Sequence, residues 1–97
     1  MEAWELRAFK RELDQRLPEV EDMLINAKEE YCRIADEQKA LSNEEYLAND
    51  TEYDKQYKEA RNKYITLRDA VNSIKNAIKY INQAEKEISF LEGEGII

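Results

Sequence analysis

The sequence predicts an all-α fold, an antiparallel helical hairpin of coiled-coil type, and three observations predict it. Residues 1–92 contain no glycine and a single proline, Pro18, so few sharp reversals are written into the chain. Apolar residues recur at alternating spacings of four and three in two stretches, 3–41 and 53–91. Between them lies a polar segment, 42–52, suited to a reversal. The expected organisation is one helical domain over 1–97, with a first arm of about 2–41, a tip of 42–52, a second arm of about 53–92 and a tail of 93–97.

The first arm carries its stripe on Ala3, Leu6, Leu13, Leu17, Val20, Leu24, Ala27, Tyr31, Ile34 and Leu41, with Lys10 and Gln38 as polar interruptions. Pro18 falls inside this rhythm without shifting its phase. Proline lacks the backbone donor and disfavours helical geometry in the residue before it. The arm is therefore expected to be kinked or broken there, and a break would make three helices. A helix opening at Pro18 would hold Glu19, Glu21 and Asp22 in its first turn. The unshifted phase favours a kink, or a tight break with little change of direction.

In the tip, Ser42 and Glu45 have capping-box spacing and can open a single helical turn. Asp50 or Thr51 is expected to cap the second arm. Tyr46 and Leu47 are expected to cover the tip beside Leu41, Tyr53 and Tyr57.

The second arm has the same stripe on Tyr53, Tyr57, Ala60, Tyr64, Leu67, Val71, Ile74, Ile78, Ile81 and Ile88, interrupted by Glu85. As heptads, 57, 64, 71 and 78 are a positions and 60, 67, 74 and 81 are d positions. Ala70, Ala77, Ala84 and Leu91 fall on the adjacent g line, where small residues let a neighbouring helix come close. Folding the chain near residue 47 sets Tyr31 level with Tyr64, Leu24 with Val71 and Leu13 with Ile81. It also brings the opposite charges Lys10 and Glu85 into one layer. An unpaired charge in a seam is costly, so this coincidence supports the alignment. Setting a beside d, as antiparallel coils usually do, would slide the register by up to one turn and still leave these two within reach.

The tail begins at Gly93, which suits a helix C-cap, and is expected to turn back so that Ile96 and Ile97 cover Trp4 and Phe9. Several large apolar residues miss both stripes. Trp4, Ile25 and Cys32 share the b line of the first arm, Phe9 and Met23 its g line, and Tyr80 and Phe90 lie outside the second seam. The alternative to a covering tail is a second contact surface. A two-helix hairpin has one seam and a small core for its length, which makes a homodimer, paired as a four-helix bundle, the simplest assembly.

Composition narrows the function. The apolar fraction of 42% is too high for a disordered acidic tail, and 22 acidic against 15 basic residues give a net charge of −7. Residues 1–50 carry 14 acids and 7 bases, whereas 51–97 carry 8 of each. Between 55 and 81, seven bases stand against Glu59 and Asp69. Mutual attraction of the arms is the expected use of this asymmetry. No direct nucleic-acid binding is expected, because the bases are not interleaved with aromatic residues placed to stack on nucleobases. No apolar run reaches membrane-spanning length, and the opening Met1-Glu2-Ala3-Trp4-Glu5 does not read as a signal peptide. Cys32 is alone and expected to act as a small packed hydrophobe, so the expected compartment is reducing and cytoplasmic.

The chemistry-bearing patterns are missing. Histidine is absent, and with it the commonest general base, transition-metal ligand and pH switch. The Glu-x-x-His of di-iron bundles is therefore impossible. Asp50-x-Glu52-x-Asp54 resembles the start of a calcium loop, but Lys55 stands where the glycine belongs and no second half follows. No glycine-rich phosphate loop occurs. The chain is expected to have no catalytic residue, no cofactor and no metal site, and not to be an enzyme. In length it is similar to the small secreted hairpins of the type VII secretion family, yet the Trp-x-Gly of their turn is absent from this tip. The single Tyr-x-x-x-Asp, Tyr46 to Asp50, lies in the tip instead of after the second helix. No family is assigned on these residues.

The expected work is surface work. Two faces are candidates for a protein partner: the acidic outer face of 19–52, with Glu29, Glu30, Asp36 and Glu37, and the apolar open end, with Trp4, Phe9, Tyr80, Phe90, Ile96 and Ile97. Lys10 and Glu85 are expected to form a structural polar layer. The expected function is a non-enzymatic interaction module, a small adaptor or inhibitor of a larger assembly, of a kind that phages and mobile elements commonly encode. Two alternatives stand beside it: a structural homo-oligomer, such as a scaffold or secretion component, and an acidic nucleic-acid mimic that occupies a basic groove.

Overall fold

A computed structural model describes residues 3–95. Among them the chain forms three helices and no strand: α1 (Ala3–Lys39), α2 (Asn43–Ala48) and α3 (Asp50–Gly93). α1 and α3 run antiparallel and in contact, and the molecule is a rod of 75 × 17 × 17 Å. This is a helical hairpin, one layer of two helices with a short third helix across its tip.

Burial follows the stripes. Among the described residues the buried side chains are Ala27, Ala60, Val71 and Ile81, all on the seam. Every other seam position from Leu6 to Leu41 and from Tyr53 to Ile88 is half-buried, including Lys10, Gln38 and Glu85. Ala70, Ala77, Ala84 and Leu91 on the α3 g line are half-buried too. No large side chain is fully enclosed. A single seam between two helices cannot surround a side chain on all sides, so this core is a strip and not a centre.

α1 passes through Pro18 as one continuous helix, so the break allowed by the sequence does not occur. The third helix is α2, in the tip. Pro18 is exposed on the b line, away from α3. Its ring meets solvent there, and the Asp14 carbonyl, which would accept from the N–H of residue 18, is left without a helical donor.

The tip keeps the expected cap for α2. Ser42 is extended (φ −69°, ψ 163°), its Oγ accepts from the Glu45 N–H at 3.1 Å, and it donates to the Glu45 carboxylate at 3.1 Å. α3 starts earlier than the stripe suggested. Its cap is Asn49, with no side-chain cap bond, instead of Asp50 or Thr51. The connection is so short that the Asn49 backbone serves both helices: its N–H donates to the Tyr46 carbonyl at 3.2 Å and its carbonyl accepts from Tyr53 at 3.1 Å. Tyr46 covers the tip by stacking on Tyr53 at 5.7 Å between centroids. Leu47 does not; it is 67% exposed, pointing away from a helix too short to bury both of its faces.

The C-terminal turn also differs from expectation. Gly93 is still helical, and Gly95 is the residue with positive φ, at 72°. The Gly95 N–H donates to the Glu92 carbonyl at 3.1 Å, one of the two bonds of a Schellman ending, which needs a left-handed residue at this place. Trp4 (67%) and Phe9 (48%) are exposed. Ile96 and Ile97 lie outside the described residues.

Candidate interaction surface

The register of the seam decides which residues share a face. Tyr31 packs against two tyrosines of α3, with its ring centroid 5.4 Å from Tyr57 and 5.8 Å from Tyr64. Those two lie two turns apart, about 10.5 Å along the helix. Tyr31 therefore sits between them, level with Ala60, and not opposite Tyr64 as the simple fold-over predicts. One turn back along α1 and one turn on along α3, Ala27 comes level with Tyr64. Two successive layers thus set alanine against tyrosine, which explains why both alanines are among the buried residues: each faces a ring too large for a second bulky side chain. This is the a-beside-d slide that the sequence left open.

The polar members of the seam are satisfied. Tyr31 and Tyr57 share a hydroxyl–hydroxyl hydrogen bond of 2.8 Å. That bond, with burial adding to it, raises the Tyr31 pKa above the usual tyrosine value, because the bonded phenol must stay protonated. Gln38 Nε2 donates to the Tyr53 carbonyl at 2.7 Å. Lys10 Nζ lies 4.0 Å from Glu85 Oε2, both side chains under a third exposed. Among the described residues this is the ion pair that joins the two long helices; the others are local, such as Arg33–Glu37 at 2.9 Å and Lys58–Asp54 at 2.9 Å. The attraction expected between the arms thus reaches direct contact at this pair, whose members stand in adjacent layers of the register. Lys10→Glu would set two carboxylates beside each other and is expected to destabilise by about 1–2 kcal/mol, with Glu85→Lys on top restoring most of the loss. Urea denaturation of the single and double variants measures it; a double variant no more stable than the single would refute the pairing.

Each long helix has two lines beside its seam, and the fold pairs them like with like. Arg7 of α1 borders one shallow depression with Asn82, Glu85 and Ser89 of α3, so the two e lines share a side. Glu30 and Ile34 border another with Gln56, Glu59 and Lys63, so the two g lines share the opposite side. The hairpin is therefore a plank with an e flank and a g flank, and the b and c lines form their outer margins.

This geometry separates the apolar candidates. Phe9 and Tyr80 lie on the g flank, level with each other to within about one turn along the rod. Trp4 lies on the margin of the e flank, and Phe90, 65% exposed, on the back of α3. They share the open end but no single patch. Among the acids, Glu30 and Glu37 belong to the g flank, whereas Glu29 and Asp36 lie on the back of α1; all four are exposed, and Glu37 is held by Arg33. Cys32 is exposed, not packed: its b position lies beyond the e line, on the wall of a groove with Tyr31, Ala35 and Tyr57. Met23 (52%), Ile25 (55%) and Leu47 (67%) complete the exposed large apolar residues, and their off-stripe positions were the sequence signal for it.

Among the described residues, no helix is long and apolar enough to cross a membrane, and no group of three or more cysteine and carboxylate side chains is placed to hold a metal ion. No protein-family model, no curated protein and no solved structure matches this chain.

Proposed function

We propose that this chain is a non-enzymatic protein–protein interaction module, a small adaptor or inhibitor of a larger assembly. One observation carries the reading: seven large apolar side chains are exposed by 48–67%, whereas the buried side chains among the described residues are Ala27, Ala60, Val71 and Ile81. Two of the seven, Phe9 and Tyr80, lie on the same flank, and exposed apolar residues grouped on one face suit a binding surface. The stripes make the hairpin an antiparallel coiled coil, bent at Pro18 where a backbone bond is missing. Such a rod presents long faces and no deep cleft, which suits contact with another protein. The lone cysteine and the absence of a long apolar segment favour a reducing, cytoplasmic setting.

The test compares affinity capture by the wild-type chain and by a Phe9→Ala, Tyr80→Ala double variant, whose substitutions are exposed and leave the seam intact. A stoichiometric partner captured by the first and lost by the second is the expected result. Recovery of copies of the same chain alone would favour the second reading, a structural homo-oligomer.

That second reading has its own observation. A compact protein of 11.5 kDa exposes about 5,800 Å². This chain exposes 7521 Å². The excess, about 1,700 Å², is the area of two standard interface halves of about 800 Å² each. Nucleic-acid mimicry is a weaker third reading, since Arg16, Arg33 and Lys63 interrupt the acids of the g side.

A further inference from the structure

The charge of this hairpin is sorted by flank. On α3 the e line carries Arg61, Arg68 and Lys75, and its b margin carries Lys58, Lys79 and Lys86. α1 adds Arg7, Arg11, Lys28 and Lys39 to the same side. Against these ten bases stand Asp14, Glu21 and Asp54, so the e flank has a net charge of +7. The g flank is the reverse. Its α1 half holds Glu5, Glu12, Glu19, Glu30 and Glu37, its α3 half Glu52, Glu59 and Glu87. Arg16, Arg33 and Lys63 oppose these eight acids, leaving −5. Apart from half-buried Glu5 and Glu21, all these side chains are exposed.

Each flank also carries apolar residues among its charges: Phe9, Met23 and Tyr80 on the acidic side, Trp4, Ile25 and Cys32 on the basic side. Neither flank suits a copy of itself. A two-fold dimer through one flank would set +7 against +7 or −5 against −5, and like charges in juxtaposition are costly. The two flanks do suit each other.

We propose that the partner of the acidic flank is the basic flank of a second copy of this chain. This interface is heterologous, so every copy added leaves one acidic and one basic flank free, and the hairpins stack side by side in an open-ended row. Each inner copy covers two flanks, which matches the two interface halves of excess surface. The inference rests on the reading of the chain as an interaction module and names its partner.

Sedimentation velocity on the purified chain tests it. The weight-average mass is expected to climb with concentration without levelling at a dimer, and association to weaken about tenfold or more between about 20 and 500 mM salt. Two variants, Arg61→Gln/Arg68→Gln/Lys75→Gln and Glu19→Gln/Glu30→Gln/Glu59→Gln, are each expected to stay monomeric, with helicity by circular dichroism equal to wild type. Mixed, they are expected to form a one-to-one pair that grows no further, because each supplies the flank the other lacks. A wild-type chain that stays monomeric in low salt overturns the proposal. So does a closed dimer that either variant forms alone, or a wild-type monomer that binds duplex DNA through the basic flank. Capture of a different protein through Phe9 and Tyr80 by a chain that does not stack would end this inference and leave the interaction module standing.

Discussion

Pro18→Ala is expected to stabilise the hairpin by about 2–3 kcal/mol, the usual cost of a proline in a helix interior. The residue lies within α1, fifteen places after its start, and is exposed on the side away from α3. Alanine there restores the bond to the Asp14 carbonyl, removes the clash of the ring with the preceding turn and disturbs no seam contact. In a chain of this length such a gain corresponds to a rise in Tm of more than about 10 °C. Thermal denaturation by circular dichroism reads it directly. An unchanged Tm would mean that Pro18 occupies the first turn of a separate helix, where proline costs little, and would reinstate the break.

Ala27→Leu is expected to destabilise by about 1–3 kcal/mol, although leucine is a good helix former and adds apolar surface to an apolar stripe. Ala27 is the least exposed side chain among the described residues, at 2%, and its layer faces the ring of Tyr64. Leucine must push the helices apart or force Tyr64 out of its stack with Tyr31, whose hydroxyl is also tied to Tyr57. The control is Ala8→Leu on the exposed back of α1, expected to change stability by no more than about 0.5 kcal/mol. Guanidinium denaturation of both variants separates crowding from composition. A more stable Ala27→Leu would show that the tyrosine and alanine layers are not in register.

Much of the fold is legible in the residues because the seam depends on side chains at a fixed spacing. The stripes placed both long helices and the tip, and the interruptions Lys10 and Glu85 pointed to the same stretch of the seam from opposite ends of the chain. Register was legible only to within one turn. Counting outward from residue 47 treats the helices as mirror images, whereas side chains pack into the gaps of the facing helix, which shifts Tyr31 from Tyr64 to the space beside Ala60. The helix ends were the least legible part. Asp50 and Thr51 have suitable side chains for a cap and Gly93 a suitable backbone, but Asn49 and Gly95 take the roles because the first backbone turn of α3 can close on α2 and because the helix ends later than the first glycine. The binding faces were partly hidden for a different reason. Tallying charge by arm shows an acidic half and a neutral half. Sorting it by flank requires knowing that the e lines share one side and the g lines the other, which is a property of the antiparallel pairing.

The same nested pairing sets an order of assembly. Gln38 and Tyr53, fifteen residues apart, close the smallest loop among these cross-helix contacts; Tyr31 with Tyr57 closes twenty-six, and Lys10 with Glu85 nearly the whole chain. Loop closure costs about 0.6 kcal/mol more with each doubling of length, so making the farthest of these contacts first costs about 1.4 kcal/mol more than making the nearest. The hairpin is expected to zip from its tip, since every layer that forms shortens the loop for the next. By the same reasoning, opening is expected to start at the end where Trp4 and Phe90 stand exposed, with the tyrosine cluster nearer the tip the last to part.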